Sequence, residues 1–167
     1  MEFTVDTNKT EHLIYEDISN VLKHLIVPSD KLISNLSNFI AVLKESFNKI
    51  SWVGFYIAEN DKLFLGPFQG KSACTDIQFG KGVCGTVAQT QSTLIVNNVN
   101  DFPYHIACDS KSQSEIVIPI VVDGKTWGVL DIDSYELSCF TELDKSYLEK
   151  FVEYLNNNLE FNKYILI

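Results

Sequence analysis

The sequence predicts an α+β domain, an antiparallel sheet covered by helices. Three observations carry this. Apolar residues recur at helical spacing through roughly the first third of the chain. At Ser51 the pattern switches to aromatic and β-branched runs. After Thr141 the helical spacing returns. No repeat, low-complexity run or linker interrupts the 167 residues, which read as one domain over 1–167. Helices are expected over 10–48, the sheet and its loops over 51–133, and a last helix over 141–160.

The elements follow in order. Leu13, Ile14, Ile18, Val21, Leu22 and Leu25 form a first apolar stripe, which Pro28 ends. Ser29 or Asp30 can cap a second helix, whose stripe is Leu32, Ile33, Leu36, Phe39, Ile40, Leu43 and Phe47. "SWVGFYI" reads as a strand with Trp52, Gly54 and Tyr56 on one face and Val53, Phe55 and Ile57 on the other. "KLFLG", "STLIVNN", "EIVIPIVV" and "TWGVLDID" read as further strands, with a short helix at "TVAQTQ". Thr141 and Asp144 resemble a capping box ahead of a helix carrying Leu143, Tyr147, Leu148, Phe151, Leu155 and Leu159.

The net charge of -9 includes 13 basic residues, every one of them Lys. Without Arg there are no bidentate clamps for phosphate or guanine, which argues against a nucleic-acid partner. A small cationic or zwitterionic ligand suits the charge better. No signal-peptide core precedes Glu11, and the apolar tail "YILI" is far shorter than the ~20 residues of a membrane span. The chain reads as cytoplasmic, where cysteines are more often reduced, catalytic or metal-binding than structural. Cys74, Cys84, Cys108 and Cys139 have no zinc-site spacing, so no metal is expected.

Three stretches carry candidate chemistry. In "GKGVCG", residues 80–85, glycines before a helix N-terminus suit a carboxylate or phosphate ligand and a reactive Cys84. A tight strand-to-helix turn with a packed cysteine explains the same residues. In "LDID", Asp131 and Asp133 share a strand face with Trp127 and Val129, either as a solvated strand end or as an anionic site. Glu115 joins them only in one hairpin register. A two-residue turn at Asp123-Gly124 puts it on the opposite face; a three-residue loop over 122–124 pairs it with Asp131. We favour the latter, which makes three carboxylates converge and forces at least one pKa upward. In "HIACDS", residues 105–110, Cys108 sits within a long segment rich in turn formers. Asp109 should suppress its thiolate unless a cationic ligand reverses the field. A half-buried loop cysteine is the alternative, and His105 reads as a surface or packed residue.

Six blocks in order, "WVGFY", "LGPFQGKSAC", "GKGVCGT", "HIACD", "SEIVIPI" and "GVLDID", together resemble the free methionine-(R)-sulfoxide reductases, cytosolic enzymes built on a GAF domain. The resemblance spans about Ser51 to Asp133. One departure is Tyr104, where the family usually has Gly before "HIACD". The resemblance implies a GAF-like fold, a central antiparallel sheet of about six strands with helices packed against it. It implies reduction of free L-methionine-(R)-sulfoxide, with Cys108 attacking the sulfoxide sulfur, Cys74 resolving the sulfenic acid as a disulfide, and Cys84 as an alternative resolver. Glu115, Asp131 and Asp133 would hold the substrate's ammonium and help protonate its sulfoxide oxygen. Trp52 and Tyr56 would wall the S-methyl group. Thioredoxin is the implied reductant and no cofactor is implied; a homodimer stays open. Two other classes share some features. A non-catalytic GAF sensor gives no reason for three cysteines together. A metal-dependent hydrolase would use Cys108, His105 and the carboxylates.

Overall fold

Two helices packed together open the chain in the computed structural model, which describes residues 4–106 and 108–161. The "YILI" tail therefore lies outside the described residues. Helix α1 (Glu11–Leu25) buries Ile14, Tyr15, Ile18 and Leu22. Leu13, expected in that stripe, faces solvent; Tyr15 takes the inward position. Helix α2 (Leu32–Ser46) begins after Lys31, not with a Ser29 or Asp30 cap. Asp30 instead closes a turn onto Val27. Asn35 pins that turn with two bonds to the Val27 backbone, of 2.8 and 2.9 Å, which satisfies a peptide N–H just past the end of α1.

Six strands follow: β1 (Trp52–Glu59), β2 (Lys62–Gln69), β3 (Asp76–Gln78), β4 (Leu94–Val96), β5 (Ser114–Val122) and β6 (Lys125–Ser134). They form one antiparallel sheet in the order β3-β2-β1-β6-β5-β4. Helix α3 (Gly82–Thr90) lies between β3 and β4, and α4 (Glu142–Asn158) closes the fold. Strand β3 escapes a periodicity reading because it is only three residues long. The alternation expected in β1 holds. Val53 and Phe55 pack with Phe39, Leu130 and Phe151 under α1, α2 and α4. Trp52 and Tyr56 pack on the other face with Val87, Val117 and Val129 beside α3. The sheet thus separates a helix-covered core from a face that carries loops. Among the described residues no helix is long and apolar enough to cross a membrane.

The β5–β6 hairpin overturns the three-residue-loop expectation. Val122 pairs with Lys125, so the turn is the two-residue Asp123-Gly124. Both turn residues have positive φ, 50° and 74°, as a twist-matched tight turn requires. That register alone would put Glu115 on the wrong face. A bulge corrects it: Val121 pairs with Thr126, but Ile120 pairs with Gly128, leaving Trp127 as an extra residue in β6. Glu115 then lies opposite Asp133, not Asp131, and returns to the aspartates' face. Trp127 does not share that face as the alternation implied. It turns to the helical side, 4.7 Å from the Phe161 ring.

Helices α1 and α4 are tied by one buried carboxylate. Asp144, fully buried, accepts from the Tyr15 hydroxyl and from Lys49 Nζ, each at 2.7 Å. It also caps α4, accepting the Thr141 N–H at 2.7 Å. Burial would raise its carboxyl, but hydrogen bonds from Lys49 and Tyr15 outweigh this and hold it below the usual carboxylate range. Removing that carboxylate strands the buried Tyr15 hydroxyl and the Thr141 N–H and leaves the half-buried Lys49 with Glu11 alone, 2.8 Å away, so Asp144→Ala should cost about 2–3 kcal/mol. Urea unfolding at neutral pH measures it. A cost below about 1 kcal/mol would show that the network contributes little.

Candidate active site

The loop-covered face holds a cavity of about 40 Å³, lined by Trp52, Tyr56, Cys84, Cys108, Glu115, Asp131 and Asp133, among others. All eight residues singled out in the sequence meet here or at its wall: Cys74 joins through a disulfide to Cys108, with Cα atoms 5.5 Å apart. The two cysteines are separated by 34 residues, so only the fold brings them together. Cys84 and Cys139 carry free thiols.

Each side chain has a structural reason to be there. On β1, Trp52 lies opposite Asp133 and Gly54 opposite Asp131. With no side chain at Gly54, the two aromatic rings meet across it, 6.0 Å apart. Their polar tips have a function the sequence reading did not include. Trp52 Nε1 donates to the Lys71 carbonyl and the Tyr56 hydroxyl to the Cys74 carbonyl, both at 3.0 Å. The aromatic wall therefore also holds the backbone of the Cys74 loop. In "GKGVCG", Gly85 permits close packing: a Cβ there would lie 2.3 Å from the Gln78 carbonyl oxygen. That contact seats α3 against the β3 end, and Gly82, Val83 and Cys84 head the helix at the cavity wall. The motif is thus a tight turn with a packed Cys84, and that turn lies at the cavity wall.

Electrostatics dominate the floor. Cys84, Glu115 and Asp131 are all buried, and one polar atom from each lies within 4.8 Å of the others. The Cys84 thiol lies 3.8 Å from Glu115 Oε1. Burial, then repulsion from Asp131 and Asp133, pushes Glu115 well above its ordinary range. Asp133 rises for the same reasons, burial and then Asp131. Asp131 is pushed up to about 6 by burial, with hydrogen bonds from Cys84 and Glu115 moderating the rise. Burial and the neighbouring carboxylates raise the Cys84 thiol, which keeps it protonated and a poor nucleophile. Asp131 Oδ1 is buried with no hydrogen-bond partner among the described residues. A cationic or protonated ligand group would satisfy it.

The Cys108 loop is anchored at the cavity wall by Asp109, through the partners Tyr135 and Lys71, which the sequence did not flag. Asp109 accepts from the Tyr135 hydroxyl at 2.8 Å and from the Lys111 N–H at 3.0 Å, with Lys71 Nζ at 3.5 Å. The backbone bond to Lys111 and the Tyr135 bond hold its carboxyl below the usual range. The charge expected to suppress Cys108 is thus engaged with Lys71 and Tyr135. Nothing in the sequence pairs residues 26 and 38 positions from Asp109 with it. Tyr104 has φ 57°, in the region that favours glycine, which gives a physical reason for the glycine usual before "HIACD". His105 lines the cavity, and burial lowers its pKa.

A family model described as the GAF domain matches residues 36–160. The free methionine-R-sulfoxide reductase of Saccharomyces cerevisiae is 48% identical over 137 residues, 77% of this chain and 76% of its own length. That of Escherichia coli is 42% identical over 157 residues, 94% of each chain. A structure of the Neisseria meningitidis free methionine-R-sulfoxide reductase in complex with its substrate superposes with a TM-score of 0.87 at 39% identity, covering 95% of this chain and 93% of that one. The reduced form of the Staphylococcus aureus fRMsr gives 0.85 at 43% identity, covering 92% and 97%. With the six-stranded GAF sheet and identity extending over most of both chains, the protein belongs to the GAF-domain free methionine-R-sulfoxide reductase family.

Proposed function

We propose that this protein reduces free L-methionine-(R)-sulfoxide to L-methionine in the cytoplasm, using Cys108 as nucleophile and Cys74 as resolving cysteine. The observation that carries the assignment of roles is the Cys74–Cys108 disulfide at the mouth of a buried three-carboxyl cavity. Membership of the reductase family supports the reaction class.

The chemistry follows from the groups present. The Cys108 thiolate attacks the sulfoxide sulfur. A sulfoxide oxygen leaves poorly unless protonated, so a carboxyl held neutral by burial and like charge is a suitable acid. Glu115 and Asp133, both shifted upward, are the candidates. Oxygen transfers to Cys108, giving methionine and a sulfenic acid. The Cys74 thiol displaces it as water, forming the disulfide, and an external dithiol, thioredoxin by resemblance, returns both thiols. No bound cofactor enters this sequence. The unpaired Asp131 Oδ1 suits the substrate's ammonium, and the free N–H groups heading α3 suit its carboxylate. Trp52 and Tyr56 supply the apolar wall for the S-methyl group.

The disulfide form encloses about 40 Å³, room for little more than water. The cysteine loops must therefore part on reduction before an amino acid can bind. Cys84 stays a buried thiol beside Glu115, so its role in this reading is to hold the acid rather than to resolve the sulfenic acid.

Three outcomes test this. Cys108→Ser should give no methionine in a single turnover, whereas Cys74→Ser should give about one per enzyme before stalling as the sulfenic acid. Normal yield from the first, or none from folded Cys74→Ser, would reverse the roles. N-acetylation of the substrate removes its ammonium and should lower kcat/KM about 100-fold or more; equal rates would contradict the carboxylate assignment. The third is a stability test. Asp131 is raised in the folded state, so its cost is absent below the ordinary carboxylate pKa and fully present above about 6. Asp131→Asn should therefore stabilise the fold at pH 7, by about 1–3 kcal/mol, and gain little at pH 4. Thermal unfolding at the two values checks it, and a loss of stability at pH 7 would contradict the electrostatic account.

A further inference from the structure

The floor of the cavity has the composition and spacing of a metal site. Cys84 from α3, Glu115 from β5 and Asp131 from β6 each place one ligand atom within 4.8 Å of the other two. The 3.8 Å between Cys84 Sγ and Glu115 Oε1 is close to the ~3.5 Å that a tetrahedral zinc ion sets between a sulfur at ~2.3 Å and an oxygen at ~2.0 Å. Independently, Asp131 is only 6% exposed, yet its Oδ1 has no hydrogen-bond partner among the described residues. The cavity it lines, about 40 Å³, holds an ion and a water but not an amino acid.

We propose that Cys84, Glu115 and Asp131 form an inhibitory zinc site, with water or Asp133 completing the coordination. A thiolate with two carboxylates selects a borderline cation over magnesium or calcium, which prefer oxygen alone. The ion occupies the position assigned above to the substrate's ammonium, so it excludes substrate. Cys74 and Cys108 take no part, because their sulfurs are bonded to each other. Zinc therefore binds the disulfide form too, and holds three elements of the floor together. The inhibition rests on the proposed substrate position; the binding does not.

The disulfide form, stripped with a chelator, is titrated with Zn2+ against a chromogenic indicator, and with Co2+ followed by absorbance. The expected result is one ion per chain and a sulfur-to-cobalt charge-transfer band in the near ultraviolet. Cys84→Ser should abolish the band and weaken zinc at least about 100-fold, since even losing an outer-shell partner costs up to that much. Asp131→Asn should also weaken zinc, and Cys139→Ser should leave it unchanged. Unfolding curves establish that each variant is folded; if Cys84→Ser is not, Asp131→Asn and the cobalt band carry the test. No stoichiometric zinc, or equal affinity in these variants, overturns the site. With a phosphine reductant, which spares the metal, Zn2+ should raise KM for methionine sulfoxide without lowering kcat. Binding without a rise in KM overturns the inhibition. Zinc binding in a protein with no reductase activity would refute the function and leave the site standing.

Discussion

Three carboxyl groups on one sheet face, Glu115 and Asp131 buried and Asp133 half-buried, set the terms for everything around them. Asp131 raises both Glu115 and Asp133, and burial raises all three. Such a cluster is unfavourable for folding alone, since a buried carboxylate without a partner costs far more than a surface one. It becomes useful when a ligand brings the missing positive charge or accepts the retained proton. Under the function proposed above, the site binds and activates through the same groups: an ammonium offsets the ionised carboxyls, and a neutral carboxyl supplies the proton that makes sulfoxide oxygen a leaving group.

The two sides of the sheet divide the labour. The helical side is mostly apolar, and its buried charge is the Asp144 hub, where Tyr15, Lys49 and Thr141 satisfy one carboxylate. That side supplies stability. The opposite side carries the repelling carboxyls, a buried free thiol and loops held by few bonds. Trp52 and Tyr56 connect the two demands. Their rings pack into the sheet, while their N–H and O–H groups fix the Cys74 loop. Asp109 anchors the facing loop through Tyr135 and Lys71. These polar contacts hold the backbone on both sides of the disulfide beside the cavity.

Much of this was legible in the sequence because it follows from period. Helical spacing marked α1, α2 and α4, and alternation placed Trp52 and Tyr56 on one face. The convergence of Glu115 with the aspartates was reached by the wrong path. Alternation cannot reveal a bulge, and two compensating features, a tight turn and an extra Trp127, gave the same face as one longer loop. Leu13 and Tyr15 show a related limit: a stripe of apolar letters does not say which member turns inward. The Asp144 hub and the Asp109 anchor stayed hidden because their partners come from distant segments. The six motif blocks conveyed the reaction class by resemblance, where spacing alone left each motif with two readings.

The central claim is that the carboxyl floor and Cys108 together reduce a free amino acid's sulfoxide. Incubating the enzyme with racemic free methionine sulfoxide, thioredoxin, thioredoxin reductase and NADPH, and resolving the products on a chiral column, tests it directly. The account predicts loss of the R epimer alone, with one methionine formed per NADPH consumed and the S epimer left intact. No methionine, or equal loss of both epimers, would contradict it.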